Sequence, residues 1–136
     1  MFSETNPYKR YQQTQVETAN PLDLIIMLYD GALKFLNQAK AAIAEKKIEA
    51  AHNAIQRAHR IIDELNFSLN MEAGGEVATN LRRFYQYINE ELTKANFKKD
   101  PQIIDNIMQL LSEMKSSWVE LKHASKPKQQ QAVAGK

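Results

Sequence analysis

The stretch NPLDLIIMLYDGALKFLNQAKAAIA, residues 20–44, decides the fold. Asn20-Pro21 reads as an N-cap followed by proline at the first helical position, with Asp23 in the first turn, where the partial positive charge of a helix start favours an acid. From there the apolar residues recur at about 3.6 residues per turn. Leu22, Ile25, Ile26, Tyr29, Leu33, Leu36 and Ile43 make one stripe, enough to seat the helix in a bundle core. Leu24, Leu28, Phe35 and Ala39 fall on a second flank, and Met27 sits close to the polar sector. Only a narrow sector with Asp23, Asp30, Lys34 and Asn37 reads as solvated. A helix this apolar requires cover on two sides. Each large side chain buried is worth about 1.5–3 kcal/mol, and several left exposed mark an interaction surface. The cover can come from neighbouring helices that wrap it completely, from the N-terminal segment, from a second copy of the chain or from a foreign helix.

Three more helices follow. Lys46-Lys47 interrupt the first pattern, and a second helix runs from about Ile48 to Met71 with Ile48, Ala51, Ile55, Ala58, Ile62, Leu65 and Leu69 in one stripe. Gly74-Gly75 break the chain. A third helix runs from about Glu76 to Phe97 on Val77, Leu81, Phe84, Tyr85, Ile88, Leu92 and Ala95. Asp100-Pro101 repeats the cap-plus-proline signal and opens a fourth helix to about Ala124, with a broad stripe from Ile103 to Leu121 that includes Trp118. Phe67 lies off its stripe and either packs under the Gly74-Gly75 turn with Met71 or extends an external groove. Short connections between helices of similar length force antiparallel neighbours, so the expected fold is all-α, an up-down four-helix bundle. The expected organisation is an N-terminal helix or strap over residues 1–19, the bundle over 20–124 and a disordered basic tail over 125–136.

Composition narrows the function. The 136 residues suffice for one domain, and 43% apolar with 25% charged residues is ordinary globular usage. There is no cysteine, which removes disulfides and thiolate metal sites and fits a reducing compartment. No stretch reaches the roughly 20 apolar residues of a membrane span, and Met1 to Gln15 is too polar for a secretory signal; the expected location is the cytoplasm. Of the 18 lysines and arginines, four fall from Lys122 onward, where there is no acid, leaving 14 basic against 16 acidic residues before it. The folded part therefore lacks the basic face of a nucleic-acid domain, and helix one lacks the lysine-rich polar face of a membrane-surface helix.

Catalytic constellations are equally scarce. A bundle can hold a di-metal site through paired Glu-x-x-His motifs, and Glu49-Ala-Ala-His52 and Glu120-Leu-Lys-His123 have that spacing. In an up-down bundle, however, the first opens helix two and the second closes helix four, on the order of 30 Å apart at 1.5 Å per residue. His59 and Asp63, four apart, suit a surface pair. No serine or threonine stands in a nucleophile elbow and no glycine loop cradles phosphate. The reading is of a binding protein without metal or cofactor.

The residues so assembled resemble one family, the flagellin-specific export chaperones of bacterial flagella known as FliS, over about Tyr8 to Leu121. The densest part runs from Tyr11 to Leu36, where Leu28-Tyr29-Asp30-Gly31 follows the helix start Thr18-Ala-Asn-Pro21. Further matches are Ile61-Ile62-x-Glu64-Leu65, Ser68-Leu69, Glu72-x-Gly74-Gly75-Glu76-Val-Ala-x-Asn80-Leu81, Tyr85-x-Tyr87 and Trp118. Asn20 replaces the common serine, and Lys46-Lys47 fill a turn where glycine or aspartate is usual. The resemblance implies an antiparallel bundle that binds the C-terminal segment of flagellin, prevents premature polymerisation and delivers the cargo to the flagellar type III export gate, with further contacts to flagellar regulatory proteins. Tyr8, Tyr11, Val16 and Thr18 in the strap, with Leu24, Met27, Leu28 and Phe35 on helix one, are the residues expected to face the partner. The alternative is a homo-oligomeric bundle, such as a homodimer, that buries the second flank of helix one by self-association.

Overall fold

The structure, a computed structural model, describes residues 20–134, with side chains to residue 124. It contains four helices: α1 (Pro21–Ala44), α2 (Ile48–Phe67), α3 (Met71–Lys98) and α4 (Pro101–Ala134), with no strand among the described residues. The capping chemistry sets their ends. The Leu22 N–H donates to Asn20 Oδ1 at 2.8 Å and the Gln102 N–H to Asp100 Oδ1 at 2.9 Å, so both Asx-Pro pairs start helices as read. α1 closes with the Lys46 N–H on Ile43 O at 3.0 Å and the Lys47 N–H on Ala42 O at 2.8 Å, a Schellman pattern.

That closure places Lys46 at φ 60°, in the left-handed region where glycine is at ease and other residues are strained. Lys46→Gly is therefore expected to raise unfolding stability by about 0.5–1 kcal/mol despite glycine's greater freedom in the unfolded chain. The urea midpoint measures it.

Two ends differ from expectation. α2 stops at Phe67 rather than Met71, because Ser68 Oγ donates to Leu65 O at 2.7 Å and Asn70 caps the next helix, its Oδ1 accepting the Ala73 N–H at 3.0 Å. α3 thus begins one turn before Gly75, which interrupts it at φ 54°, ψ −130°, a conformation that only glycine takes without strain. Gly74 is required for a different reason, since a Cβ there would lie 2.5 Å from Ala78 Cβ. In α4 the helical backbone passes Pro127 and continues to Ala134, ten residues beyond the expected end, through a run of lysine, glutamine and alanine that favours helix.

The chain divides into two compact units, one of Leu28–Ser112 and one holding the described residues up to Met27 and from Glu113. In the Leu28–Ser112 unit, bonds from His52 to Asn96 and from His59 to Asn89 set α2 antiparallel to α3. Tyr29 reaches Tyr85, Phe35 receives Arg57, and Lys40 pairs with Asp105 at 2.5 Å, so the helix segments alternate up and down. His52 Nδ1 lies 2.9 Å from Asn96 Nδ2, and the Lys99 ammonium donates to Asn96 O at 2.6 Å and to its Oδ1 at 2.8 Å. Farther along, His59 Nδ1 lies 2.9 Å from Asn89 Oδ1, while Asn89 Nδ2 donates to Asp63 Oδ1 at 3.0 Å.

Every buried apolar side chain of the described residues lies in this unit, from Leu28 to Leu111, with no buried charge among them. The stripe of α2 is confirmed from Ala51 to Leu65, with Ala54 and Ile61 added and Ile48 exposed. On α1 the buried face is Leu28, Tyr29, Ala32, Leu36, Ala39 and Ala42, turned from the expected stripe toward the flank of Leu28 and Ala39. Alanines let helix backbones approach closely, so the core forms on the face that carries them rather than on the face with the most large side chains. On α3 the expected core residue Val77 is 67% exposed and Ala78 is buried instead, just past the Gly75 interruption. Phe67 does not pack under the turn; it is 89% exposed.

One polar feature crosses the core. The hydroxyls of Tyr29 and Tyr85 lie 3.0 Å apart, and burial, with Tyr29 beside it, pushes the Tyr85 hydroxyl far above its ordinary value of 10.0. An acid whose folded value is raised loses its proton first in the unfolded chain. Stability is therefore full below about pH 10 and falls above it, by about 1.4 kcal/mol per pH unit. Denaturant midpoints measured across that range should show the slope, and Tyr85→Phe should flatten it.

Candidate partner-binding surface

The second unit is built differently. Its described part has the first turns of α1, through Met27, and α4 from Glu113, and none of its described side chains is buried. Yet it is rich in apolar residues. Leu22, Leu24, Ile25, Ile26 and Met27 on α1 are half-buried, as are Met114, Trp118 and Val119 on α4, and Leu121 is exposed. An ion pair between Lys122 and Asp23 joins α4 to the start of α1. Both partners are partly exposed, so this pair orients more than it stabilises. The Trp118 indole N–H is shut off from solvent with no acceptor among the described residues. A segment with this much half-covered apolar surface and no buried side chain among its described residues is suited to bind a second apolar helix face.

The eight residues expected to face a partner separate into three groups. Tyr8, Tyr11, Val16 and Thr18 lie outside the described residues. Leu24 and Met27, three residues apart and thus neighbours on one helix face, keep accessible apolar surface in the unit that has no buried side chain among its described residues. Leu28 and Phe35 belong to the other unit. Leu28 is a core residue, 7% exposed, because the buried face of α1 turned toward it. Phe35 is half-buried, with the Arg57 guanidinium carbon 5.7 Å from its ring centroid, a cation–π geometry that covers one face of the ring.

Two features escaped the sequence. The pattern put Trp118 and Leu121 in the core stripe of α4, whereas Trp118 is half-buried and Leu121 exposed. Phe97, read as the last residue of its helix, is 87% exposed. No group of three or more histidine, aspartate or glutamate side chains is placed to share a metal ion among the described residues. His52 and His59 are instead bonded to asparagines of α3. No described helix is long and apolar enough to cross a membrane.

Comparison with known proteins gives a consistent result. The sequence pattern of the family described as flagellar protein FliS matches residues 4–125. The flagellar secretion chaperone FliS of Vibrio cholerae is 35% identical over 119 residues, which cover 87% of this chain and 88% of that protein. The flagellar secretion chaperone FliS of Bacillus subtilis is 35% identical over 113 residues, 83% and 84% of the two chains. The flagellar secretion chaperone FliSB of Pseudomonas aeruginosa is 39% identical over 119 residues, 85% and 94%. Among solved structures, a flagellar chaperone from bacteria superposes with a TM-score of 0.73 over 89% of this chain and 98% of that one; at 19% identity it speaks for the fold.

Proposed function

This chain belongs to the FliS family of flagellar proteins, whose named relatives are secretion chaperones rather than enzymes, and on that footing we propose that it holds the C-terminal segment of flagellin in the cytoplasm until export. The observation that carries the reading is the unit containing Leu24 and Met27, which has abundant apolar surface and no buried side chain among its described residues. A disordered segment that folds on binding supplies the missing helix face, and the apolar area it buries offsets the cost of ordering it. While bound, the segment is unable to join a filament. Delivery to the export gate of the flagellar type III apparatus follows as the second half of the role, and contacts with flagellar regulatory proteins are further partners of the same kind.

The N-terminal residues with Tyr8, Tyr11, Val16 and Thr18 are proposed as a strap that competes with the cargo, and residues 125–136, whose backbone continues α4 to Ala134, as a basic tail. No metal or cofactor enters the role. The experiment is titration with a synthetic peptide of a flagellin C-terminal segment, followed by calorimetry and circular dichroism. Binding should come with a gain of helix and a negative heat-capacity change. A chain that ignores the peptide, and instead forms a tight dimer by light scattering, would overturn the reading in favour of a homo-oligomeric bundle.

A further inference from the structure

We infer that Trp118 is a polar anchor of the cargo surface, its indole N–H donating to a backbone carbonyl in the last turn of the bound helical segment; this deepens the chaperone reading and rests on it. A buried donor without an acceptor is destabilising, and native structures keep few of them, so each one calls for a physical account. The Trp118 Nε1 atom is such a donor. It lies in the unit that has no buried side chain among its described residues, one helical turn before Lys122, whose ammonium pairs with Asp23 at the start of α1. Leu24 and Met27 occupy the same stretch of α1.

Those apolar side chains attract a helix face but do not fix its register, because apolar contact has little direction. One hydrogen-bond donor supplies the direction. The matching chemistry is on the partner, since the last four carbonyls of any helix have no intrahelical donor. The ring of Trp118 is only half-buried, and donation to cargo requires a rotation about its side-chain torsions that turns the N–H edge from the interior to the surface. Among the described residues this donor has no acceptor, and bound cargo would supply one.

Trp118 is the only tryptophan of the chain, so the full-length protein labelled with nitrogen-15 shows one indole signal. On titration with the flagellin C-terminal peptide that signal should shift and its exchange with solvent should slow. Trp118→Phe, which keeps an aromatic ring and removes the donor, should weaken the peptide about threefold to tenfold. Because the smaller ring also loosens packing, a second variant replaces Trp118 by 3-benzothienylalanine, of the same shape with sulfur in place of N–H. It should show the same weakening with an unchanged circular dichroism spectrum. If that isosteric variant binds as the wild type does, or if the indole signal stays put at saturation, the anchor is overturned and the chaperone reading stands. If the wild type binds no peptide, the chaperone reading itself falls and the anchor falls with it.

Discussion

A chain carrying Leu24→Asp should keep its helix content and its unfolding midpoint within experimental scatter, and bind the flagellin C-terminal peptide at least about 30-fold more weakly. The argument has two halves. Leu24 is half-buried, in the unit with no buried side chain among its described residues, so a carboxylate there retains access to water and the folded state loses little. When a helix face closes over it, that carboxylate loses its water with no cation given to replace it. Losing one of the few contacts that dominate an interface costs about 2 kcal/mol or more, a factor of about 30 at room temperature. Four residues on, Leu28→Ala gives the control with the opposite pattern, since Leu28 is in the core and its loss should lower stability first. Calorimetric titration and urea unfolding of both variants separate the two outcomes. An aspartate at position 24 that leaves peptide affinity unchanged would remove the start of α1 from the binding surface.

Leu36→Ala is expected to be the most damaging single truncation on α1, lowering unfolding stability by about 2–5 kcal/mol. Leu36 is fully buried, together with Tyr29, Ala32 and Ala39 on the same helix. The neighbouring buried positions are alanines, whose side chains are too short to reach into the space that a leucine vacates. Collapse around the cavity is therefore limited to what whole helices can do, and the cost should fall in the upper part of the range. For a domain of this size such a loss lowers the melting temperature by on the order of 10 °C or more. Thermal unfolding followed at 222 nm checks it, and a shift under a few degrees would mean that α1 slides to fill the gap.

The helix starts were the most legible part of the sequence, because Asn20-Pro21 and Asp100-Pro101 state their chemistry locally, and both side chains accept the N–H two residues on. Asn70 carries the same signal with Glu72 in the first turn behind it, and reading it would have moved the start of α3 to Met71. The rotation of α1 was not legible in the same way. Its first stripe has more large residues than the second flank, yet the choice between them depends on how closely α2, α3 and α4 approach, which Ala32, Ala39 and Ala42 decide. A pattern count weights leucine and isoleucine over alanine and therefore points to the wrong side.

The candidate surface was half legible for the same reason. The excess of apolar residues on α1 is visible in the sequence, and Leu24 and Met27 keep accessible surface as that excess implies. Leu28 moved to the core because it shares the alanine side. The contribution of α4 was hidden, since Trp118 and Leu121 continue a stripe that is a true core stripe at Ile104, Ile107 and Leu111. Periodicity alone does not show where along a helix the neighbours stop covering it.

The asparagines between α2 and α3 settle a question of hydrogen placement. An amide nitrogen only donates and an amide oxygen only accepts. The Lys99 ammonium holds the Asn96 oxygen, so the nitrogen faces His52, whose Nδ1 must be bare and whose hydrogen then sits on Nε2. Asp63 holds the Asn89 nitrogen, so the oxygen faces His59, whose Nδ1 must carry the hydrogen. Two histidines seven residues apart on one helix thus present Nδ1 in opposite roles, acceptor in His52 and donor in His59, one dictated at a distance by a cation and the other by an anion. The nitrogen-15 chemical shift of Nδ1 should be that of a bare ring nitrogen in His52 and of a hydrogen-bearing one in His59.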